Sequence, residues 1–230
     1  MSKTPALKSD KDIGEQVHQH LLGLGIETPM KEYDKGAFLQ TNEEQIAGHV
    51  TEIMKVLGMD LTDDSLQDTP NRVGKMFMNE LFWGLDYANF PKATVVQNKM
   101  QVDELVLERR VTVHSTCEHH LLPIVGVAHV AYVAKDKVLG LSKINRIVEF
   151  FSRRPQIQER LASQICETLK FLLETDDVAV LIEAEHMCVK TRGVEDACSD
   201  TVTSKISGVF KTNPTSKAEF LMMIALGKNK

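Results

Sequence analysis

The sequence predicts an α+β domain in which an antiparallel sheet carries helices on one face. Two neighbouring segments with alternating apolar residues can pair as antiparallel strands. Two segments with apolar residues at helical spacing follow, and two more strand-like segments come after them. In chain order these six segments are residues 104–117, 124–134, 141–153, 154–174, 176–191 and 200–210.

Composition limits the classes of function that this chain can have. It has 230 residues, of which 43% are hydrophobic, enough for a substantial core. No apolar run reaches the length of a membrane span, and the start lacks the apolar segment of a secretory signal. The net charge of -5 argues against non-specific nucleic-acid binding. We therefore expect a cytoplasmic protein with no membrane or nucleic-acid partner.

The four cysteines are expected to be thiols or metal ligands, because a chain without a secretory signal stays in a reducing compartment. A disulfide framework is the disfavoured alternative. The cysteines are Cys117, Cys166, Cys188 and Cys198.

The first part of the chain is predicted to lie apart from the sheet domain. Residues 1–42 predict an N-terminal arm rather than core, because the stretch is polar with scattered Gly, Pro, Lys and Asp. One amphipathic piece, "IGEQVHQHLLGLG", predicts a short helix ending at Gly23 or Gly25. Residues 43–100 predict an N-terminal helical region, and residues 101–230 predict the main domain.

The helical region contains two predicted helices. Apolar residues recur at helical spacing from Ile46 to Leu57. A second helix has Thr69 as its N-cap and Pro70 at its first helical position, and it ends at Gly84.

Within the main domain, each helix and strand is predicted from the pattern of its own residues. The first strand places Val111 and Val113 on one face, and the second strand follows it closely enough to pair antiparallel. The longer helix is predicted to begin at Pro155. A closing helix is predicted over residues 216–226.

The connection between the first two strands, "HSTCEHHLLP", concentrates reactive side chains. Cys117 and His120 are three residues apart, which places both side chains on one side of a turn. In the later strand, the period of two places His186 and Cys188 on the same face. Two cysteines and one histidine with an open fourth position are typical of a catalytic zinc site.

Each cluster alone has a plainer interpretation. Cys188 by itself is more often a small core side chain, and one Cys-x2-His pair is weak evidence for a metal. The two clusters together favour the metal, because each also carries a spare histidine. These spare residues, His119 and His186, suit acid–base work near neutral pH.

A set of charged residues surrounds these clusters in the sequence. Lys143 and Arg146 share one face at the start of a helix, where backbone N–H groups favour anions. Taken singly, such charges are more often solvated, and acidic residues in a first turn are often simple caps. The remaining candidates are Arg72, Arg192, Gln158 and Glu159.

Three long motifs resemble the GTP cyclohydrolase I family: "STCEHH", "GLSKINRIVEFFSRRPQIQERL" and "EHMCVKTRGV". The resemblance covers residues 43–226, and the preceding arm is expected to have no counterpart. It implies the tunnelling fold, in which small subunits join their sheets into a ring. It also implies a homodecamer of two stacked pentamers with sites at subunit interfaces, and residues 101–230 as the catalytic domain.

The resemblance implies a reaction as well. GTP and water give formate and 7,8-dihydroneopterin triphosphate, the first step toward tetrahydrofolate and other pterins. A carboxylate that accepts hydrogen bonds from guanine N1–H and N2–H2 would reject adenine. Zinc in such a site lowers the pKa of bound water, although iron or another divalent ion suits the same ligands.

Carried over to this sequence, the resemblance assigns a role to each candidate. The zinc ligands are Cys117, His120 and Cys188, and the catalytic group comprises His119 and His186 with Glu118 between two of the ligands. The purine is assigned to Gln158 and Glu159, and the triphosphate to Arg72, Ser142, Lys143, Arg146 and Arg192. The chain departs from the family pattern at Val127, Val133, Ala134 and Lys205, none of which is a ligand.

Two alternatives belong to other classes. A relative of pyruvoyl-tetrahydropterin synthase would need three zinc-binding histidines, and this chain lacks a clustered H-x-H and retains Cys188. A non-catalytic nucleotide sensor with structural zinc would not need His119 or His186. The presence of both histidines favours catalysis.

Overall fold

The computed structural model describes residues 9–31 and 41–226, with Thr41 described by its backbone alone. The helices are α1 (Lys11–Gly23), α2 (Thr41–Val56), α3 (Thr69–Met76), α4 (Leu141–Ser152), α5 (Gln158–Leu173), α6 (Met187–Lys190), α7 (Val209–Thr212) and α8 (Pro214–Ala225). The strands are β1 (Val95–Gln97), β2 (Leu105–Cys117), β3 (Pro123–Val133), β4 (Lys137–Leu139), β5 (Pro155–Gln156), β6 (Val178–His186) and β7 (Thr201–Ile206).

The main sheet has five strands in the order β5-β2-β3-β6-β7. Its neighbours pair antiparallel except for β5, which pairs parallel to the last two residues of β2. Strands β1 and β4 form a separate two-stranded sheet. The mixed architecture with a mainly antiparallel sheet confirms the predicted order of strands and helices.

The two faces of the sheet are covered by different helices. Helices α4 and α5 pack on one face, where Val130, Val180 and Ile182 are fully buried. The alternate residues Ala131 and Ala179 lie in a second cluster with apolar side chains of α7 and α8. The structure thus has the two predicted helices on one face. On the other face it has α7 and α8, and α8 confirms the closing helix predicted over residues 216–226. Both faces carry helices because β3 and β6 are apolar at successive positions, so both of their faces need cover.

Several predicted boundaries are wrong by a few residues. The helix predicted from Pro155 begins at Gln158, because Pro155 and Gln156 extend alongside the end of β2. The strand predicted through residue 191 ends at His186, where the chain turns into α6. Residue Asp68, not Thr69, occupies the cap position of α3.

The helix predicted to run to Gly84 also ends early. Helix α3 stops at Met76, and the chain continues through a π-helical turn, Phe77–Leu81, and a 3-10 turn, Trp83–Leu85. Gly84 is needed for a close approach, since a Cβ there would lie 2.1 Å from the carbonyl oxygen of Phe150.

The expectation that residues 1–42 lie outside the core is wrong for α1. Val17 and Leu21 are fully buried in the same cluster as α4 and α5. The following segment is tied down by an ion pair of 3.0 Å between Arg154 Nη1 and Glu27 Oε1, and the hydroxyl of Tyr87 also donates to Glu27. Residues 1–8 and 32–40 lie outside the described residues, and the predicted domain boundaries stay predictions. Among the described helices, none is both long enough and apolar enough to cross a membrane.

Candidate metal centre and active site

The turn between β2 and β3 is held by its own backbone. The N–H of Cys117 donates to the carbonyl of Leu122 at 2.8 Å, and the N–H of Leu121 donates to the carbonyl of Cys117 at 2.9 Å. Leu121 has a φ of 53°, in the left-handed region that few non-glycine residues adopt. The sharp reversal keeps Cys117 and His120 on one side of the turn, as their spacing predicts.

Three potential ligands converge at this end of the sheet. The ligand atoms of Cys117, His120 and Cys188 all lie within 4.8 Å of one another. Cys117 is buried, Cys188 is half-buried and His120 is exposed. Sulfur and imidazole donors at this separation fit the tetrahedral coordination of a zinc-like ion, which leaves a fourth position open.

The electrostatics of the cysteine pair also fit a cation. Burial and the neighbouring Cys117 thiol both raise the pKa of Cys188. A bound cation would offset the cost of ionising Cys188 at this position. The donor set therefore suits a metal ion better than an unoccupied thiol pair.

Cys188 reaches the cluster by a route that the sequence pattern did not predict. Strand β6 ends with His186 opposite Ile124, and Cys188 lies in the first turn of α6. A shared strand face therefore does not bring His186 and Cys188 together. The helical turn places the thiol beside the β2–β3 turn instead.

His186 is held by a buried amide. Its Nε2 lies 2.8 Å from Oε1 of Gln158. The Gln158 amide nitrogen donates to the carbonyls of Ile182 at 3.1 Å and Thr201 at 2.9 Å. Because both amide hydrogens are used, Oε1 is the acceptor and His186 donates from Nε2. The histidine's Nδ1 is then its acceptor atom when the ring is neutral.

Burial lowers the pKa of His186, and the nearby carboxylate of Glu159 opposes this shift. Glu159 is exposed in the first turn of α5, next to the buried Gln158. Its carboxylate therefore faces solvent at the metal end of the sheet, near His186.

His119 lies next to the ligand Cys117. Its Nδ1 is 3.9 Å from the Cys117 sulfur, and its Nε2 is 3.8 Å from Oε1 of Glu118. The ring is mostly exposed and lines a cavity of about 410 Å³. The other lining residues are Thr28, Pro29, Met30, Leu85, Glu118 and Pro155.

Arg160 is a site residue that no sequence pattern predicts. Its guanidinium takes both carboxylate oxygens of Glu118, with Nη1 on Oε2 and Nη2 3.4 Å from Oε1. The only signal in the sequence was a basic residue beside the Gln-Glu pair at the start of α5. Nothing local connects it to a turn more than 40 residues earlier.

The predicted triphosphate residues do not form one group in a single chain. Arg192 lies at the metal cluster, with Nη1 3.1 Å from Nε2 of His120. Arg72 is exposed and pairs with Asp68 at 3.0 Å. Among the described residues, neither Lys143 nor Arg146 contacts the cluster.

Helix α4 explains this separation. Asn145 lies near the start of α4, and its side-chain amide donates to Glu108 on β2 at 3.3 Å. The other end of α4 leads to Pro155, which pairs with Thr116 near the end of β2. With a rise of about 1.5 Å per residue, the first turn of α4 lies roughly 20 Å from the metal end. Ser142 and Lys143 therefore sit at the opposite end of β2 from Cys117.

Comparisons with known proteins agree with the site. The sequence model of the family described as GTP cyclohydrolase I matches residues 46–225. A protein of Erwinia tasmaniensis named GTP cyclohydrolase 1 is 55% identical over 208 residues, covering 90% of this chain and 94% of that protein. The protein of the same name from Yersinia pseudotuberculosis is 54% identical over 210 residues, covering 91% and 94%.

A third relative, GTP cyclohydrolase 1 of Enterobacter sp., is 54% identical over 208 residues, covering 90% of this chain and 94% of that protein. These lengths exceed residues 43–230, so the alignments extend into the N-terminal segment. The expectation that this segment has no counterpart is therefore wrong. By its matched family model and by the identity and coverage of these relatives, the chain belongs to the GTP cyclohydrolase I family.

Proposed function

We propose that this chain converts GTP and water into formate and 7,8-dihydroneopterin triphosphate. The observation that carries the proposal is the convergence of Cys117, His120 and Cys188 beside two histidines that are not needed as ligands. A structural zinc site would use a fourth protein ligand, whereas an open position suits catalysis. Family membership supports the same reaction.

We propose zinc as the metal. Two thiolates and one imidazole suit zinc among the common divalent ions. When bound, the ion supplies Lewis acidity that makes water nucleophilic near neutral pH. Elemental analysis of the purified protein tests its identity, and iron in place of zinc would overturn it.

Glu159 is proposed to bind the base. Its exposed carboxylate can accept hydrogen bonds from guanine N1–H and N2–H2. Adenine presents no such pair of donors at those positions, so this contact selects GTP. The same contact places C8 of guanine, the carbon that leaves as formate, for attack by water.

The two histidines are proposed to move protons. Gln158 holds His186 through Nε2, so Nδ1 is the atom that exchanges a proton with the opening imidazole ring. His119 lies next to Cys117 and lines the cavity there. Its exposed ring is free to carry protons during hydrolysis of the formamide.

We further propose that the chain works as a homo-oligomer with shared sites, a decamer of two pentamers as the family resemblance implies. Strand β7 forms one outer edge of the sheet. Strand β5 covers only Thr116 and Cys117 of β2, so within the described residues the rest of that edge has no strand partner. Open edges of this kind favour strand pairing between copies.

Apolar exposure on α2 supports a second contact between copies. Ile53, Val56 and Leu57 are 59%, 87% and 70% exposed at or just beyond the end of this helix. Large apolar side chains grouped in this way mark a protein–protein contact.

Shared sites also resolve the position of the phosphate-binding residues. We propose that Ser142, Lys143 and Arg146 of one copy bind the triphosphate of a nucleotide whose base lies at the metal end of another. Arg192 is proposed to meet the same nucleotide from the metal side. Arg72 is proposed to leave its ion pair with Asp68 and to contact a further phosphate of the nucleotide.

A cytoplasmic location is proposed as well. All four cysteines are free thiols, as expected in a reducing compartment.

Formate release tests the proposed activity directly. Purified protein loaded with zinc is incubated with GTP and, in parallel, with ATP, and formate is measured in both reactions. We expect formate from GTP alone. No formate from a zinc-loaded, correctly assembled protein would overturn the proposed reaction.

A further inference from the structure

We propose that Arg160 is a positioning residue that holds, through Glu118, the turn carrying two metal ligands and His119. The inference rests on the proposed function, which gives the metal its catalytic role. The contacts themselves are independent of the reaction. Arg160 lies in the first turn of α5, two residues after Gln158, and it belongs to none of the groups assigned to metal or substrate.

Arg160 and Glu118 form a bidentate ion pair. Arg160 Nη1 binds Glu118 Oε2, and Nη2 lies 3.4 Å from Oε1. The side chains are 14% and 23% exposed, so solvent screens the pair only weakly. The planar guanidinium matches both carboxylate oxygens at once, which fixes direction as well as distance.

A second bond makes the anchor rigid. The backbone N–H of Glu118 donates to the carbonyl of Gln156 at 3.0 Å. Both the main chain and the side chain of Glu118 are thus tied to the segment that begins α5. Two attachments at one residue restrict rotation of the turn about its strand.

Glu118 transmits this restraint to its neighbours. It lies directly between the ligand Cys117 and His119, and its Oε1 is 3.8 Å from His119 Nε2. Any rotation of Glu118 would move the sulfur and the imidazole together. Because both of its oxygens face Arg160, Glu118 is assigned to holding the turn rather than to transferring protons.

Arg160 is equally unsuited to bind a phosphate. Its guanidinium is mostly buried, and the two nitrogens that could form a fork already face one carboxylate. Outer residues that orient metal ligands commonly affect metal affinity and turnover together.

The test compares Arg160→Met, Arg160→Lys, Glu118→Gln and the double variant Arg160→Met/Glu118→Gln. Arg153→Met is the matched control, because Arg153 is 17% exposed and pairs at 3.9 Å with Glu149 of α4 instead of with a residue of the turn. Three quantities are measured: zinc affinity by competition with a chromophoric chelator, the visible spectrum of the cobalt-substituted protein, and kcat and KM for GTP.

For Arg160→Met we expect zinc affinity and kcat each to fall about 10- to 100-fold, as for other residues that orient metal ligands. The cobalt spectrum should shift, and KM for GTP should stay within roughly twofold, because the substrate contact is intact. Arg160→Lys should recover part of the loss. The double variant should be no worse than Arg160→Met, since both changes remove one interaction.

The proposal is overturned if Arg160→Met keeps wild-type zinc affinity and spectrum, or if only its KM rises. Additive losses in the double variant would also overturn it. If Arg160→Met does not fold by circular dichroism, Arg160→Lys and Glu118→Gln decide the question by the same readouts. Zinc affinity and the cobalt spectrum need no turnover, so they remain decisive even if the proposed reaction fails.

Discussion

The two ends of strand β2 carry opposite kinds of chemistry. At the Cys117 end, two thiols and three histidines lie around the turn, α6 and the start of α5, and an ion pair between Arg160 and Glu118 holds the turn. At the Glu108 end, the first two turns of α4 present two half-exposed cations, Lys143 and Arg146.

This difference indicates that catalysis and phosphate recognition take place at different ends of β2. Bond making requires ligands and proton carriers held to within fractions of an ångström, so it belongs at the Cys117 end, where hydrogen bonds and an ion pair fix the turn. Recognition of phosphate tolerates flexible cations at a surface. One chain keeps these ends apart, so we infer that two copies share one nucleotide.

The largest effect is expected at the Cys117 end, from Cys188→Ala. Loss of one of three ligands should release the metal and lower kcat by about 10³-fold or more, because metal catalysis supplies several kcal/mol. Metal content and formate release measure the two outcomes. The control is Cys198→Ala, which removes an exposed thiol outside the cluster. Activity that persists in Cys188→Ala without bound metal would contradict the proposed role.

A smaller loss is expected from Glu159→Gln. The neutral amide offers one acceptor and an unfavourable donor to guanine, so kcat/KM for GTP should fall roughly 100-fold. Metal content should not change, which separates this effect from that of a lost ligand. Glu52→Gln, at an exposed carboxylate on α2, serves as the control. An unchanged ratio of GTP to ATP turnover would remove Glu159 from base selection.

At the Glu108 end, Arg146→Ala should raise KM for GTP about 10-fold, because one charge-assisted contact to phosphate is lost. The metal should remain bound. Lys211→Ala, at an exposed lysine of α7, loses the same charge elsewhere and should behave as wild type. A fall in metal content in Arg146→Ala would show that the two ends are not separate.

The same variants test whether sites are shared. Subunits of Cys188→Ala and Arg146→Ala, unfolded and reassembled together, should regain about a quarter of the wild-type sites if each site needs both ends from different copies. The double variant on one chain, mixed with wild type, gives the comparison. No recovery in the mixed assembly would mean that both ends act within one chain.

The smallest effect is expected away from both ends, at Lys205→Ser. Lys205 Nζ lies 3.6 Å from Glu167 Oε1 and is 41% exposed. Such a screened pair contributes less than about 1 kcal/mol, so thermal unfolding should shift by only a few degrees. Kinetic constants should be unchanged. A change in KM for GTP would place β7 near the substrate.

Cys166 differs from the metal-binding cysteines because it is fully buried. Burial raises the pKa of Cys166 to about 11, which keeps the thiol protonated at neutral pH. This supports its interpretation as a packing residue rather than a ligand.

The order of the elements and part of the metal site can be predicted from the sequence alone. Apolar periodicity is a local property, so it predicted the order of strands and helices and the pairing of β2 with β3. The spacing of Cys117 and His120 likewise sufficed to place two ligands on one turn. The residue types of these two, together with Cys188, already indicate a metal site in the sequence.

Tertiary structure decided the contacts between elements that are distant in sequence. Only the fold shows that α6 delivers Cys188, that Gln158 holds His186, and that Arg160 holds Glu118. It also brings Val17 and Leu21 into the core. The reason is physical: local patterns determine which element forms, whereas sheet register and helix packing determine which side chains meet across it.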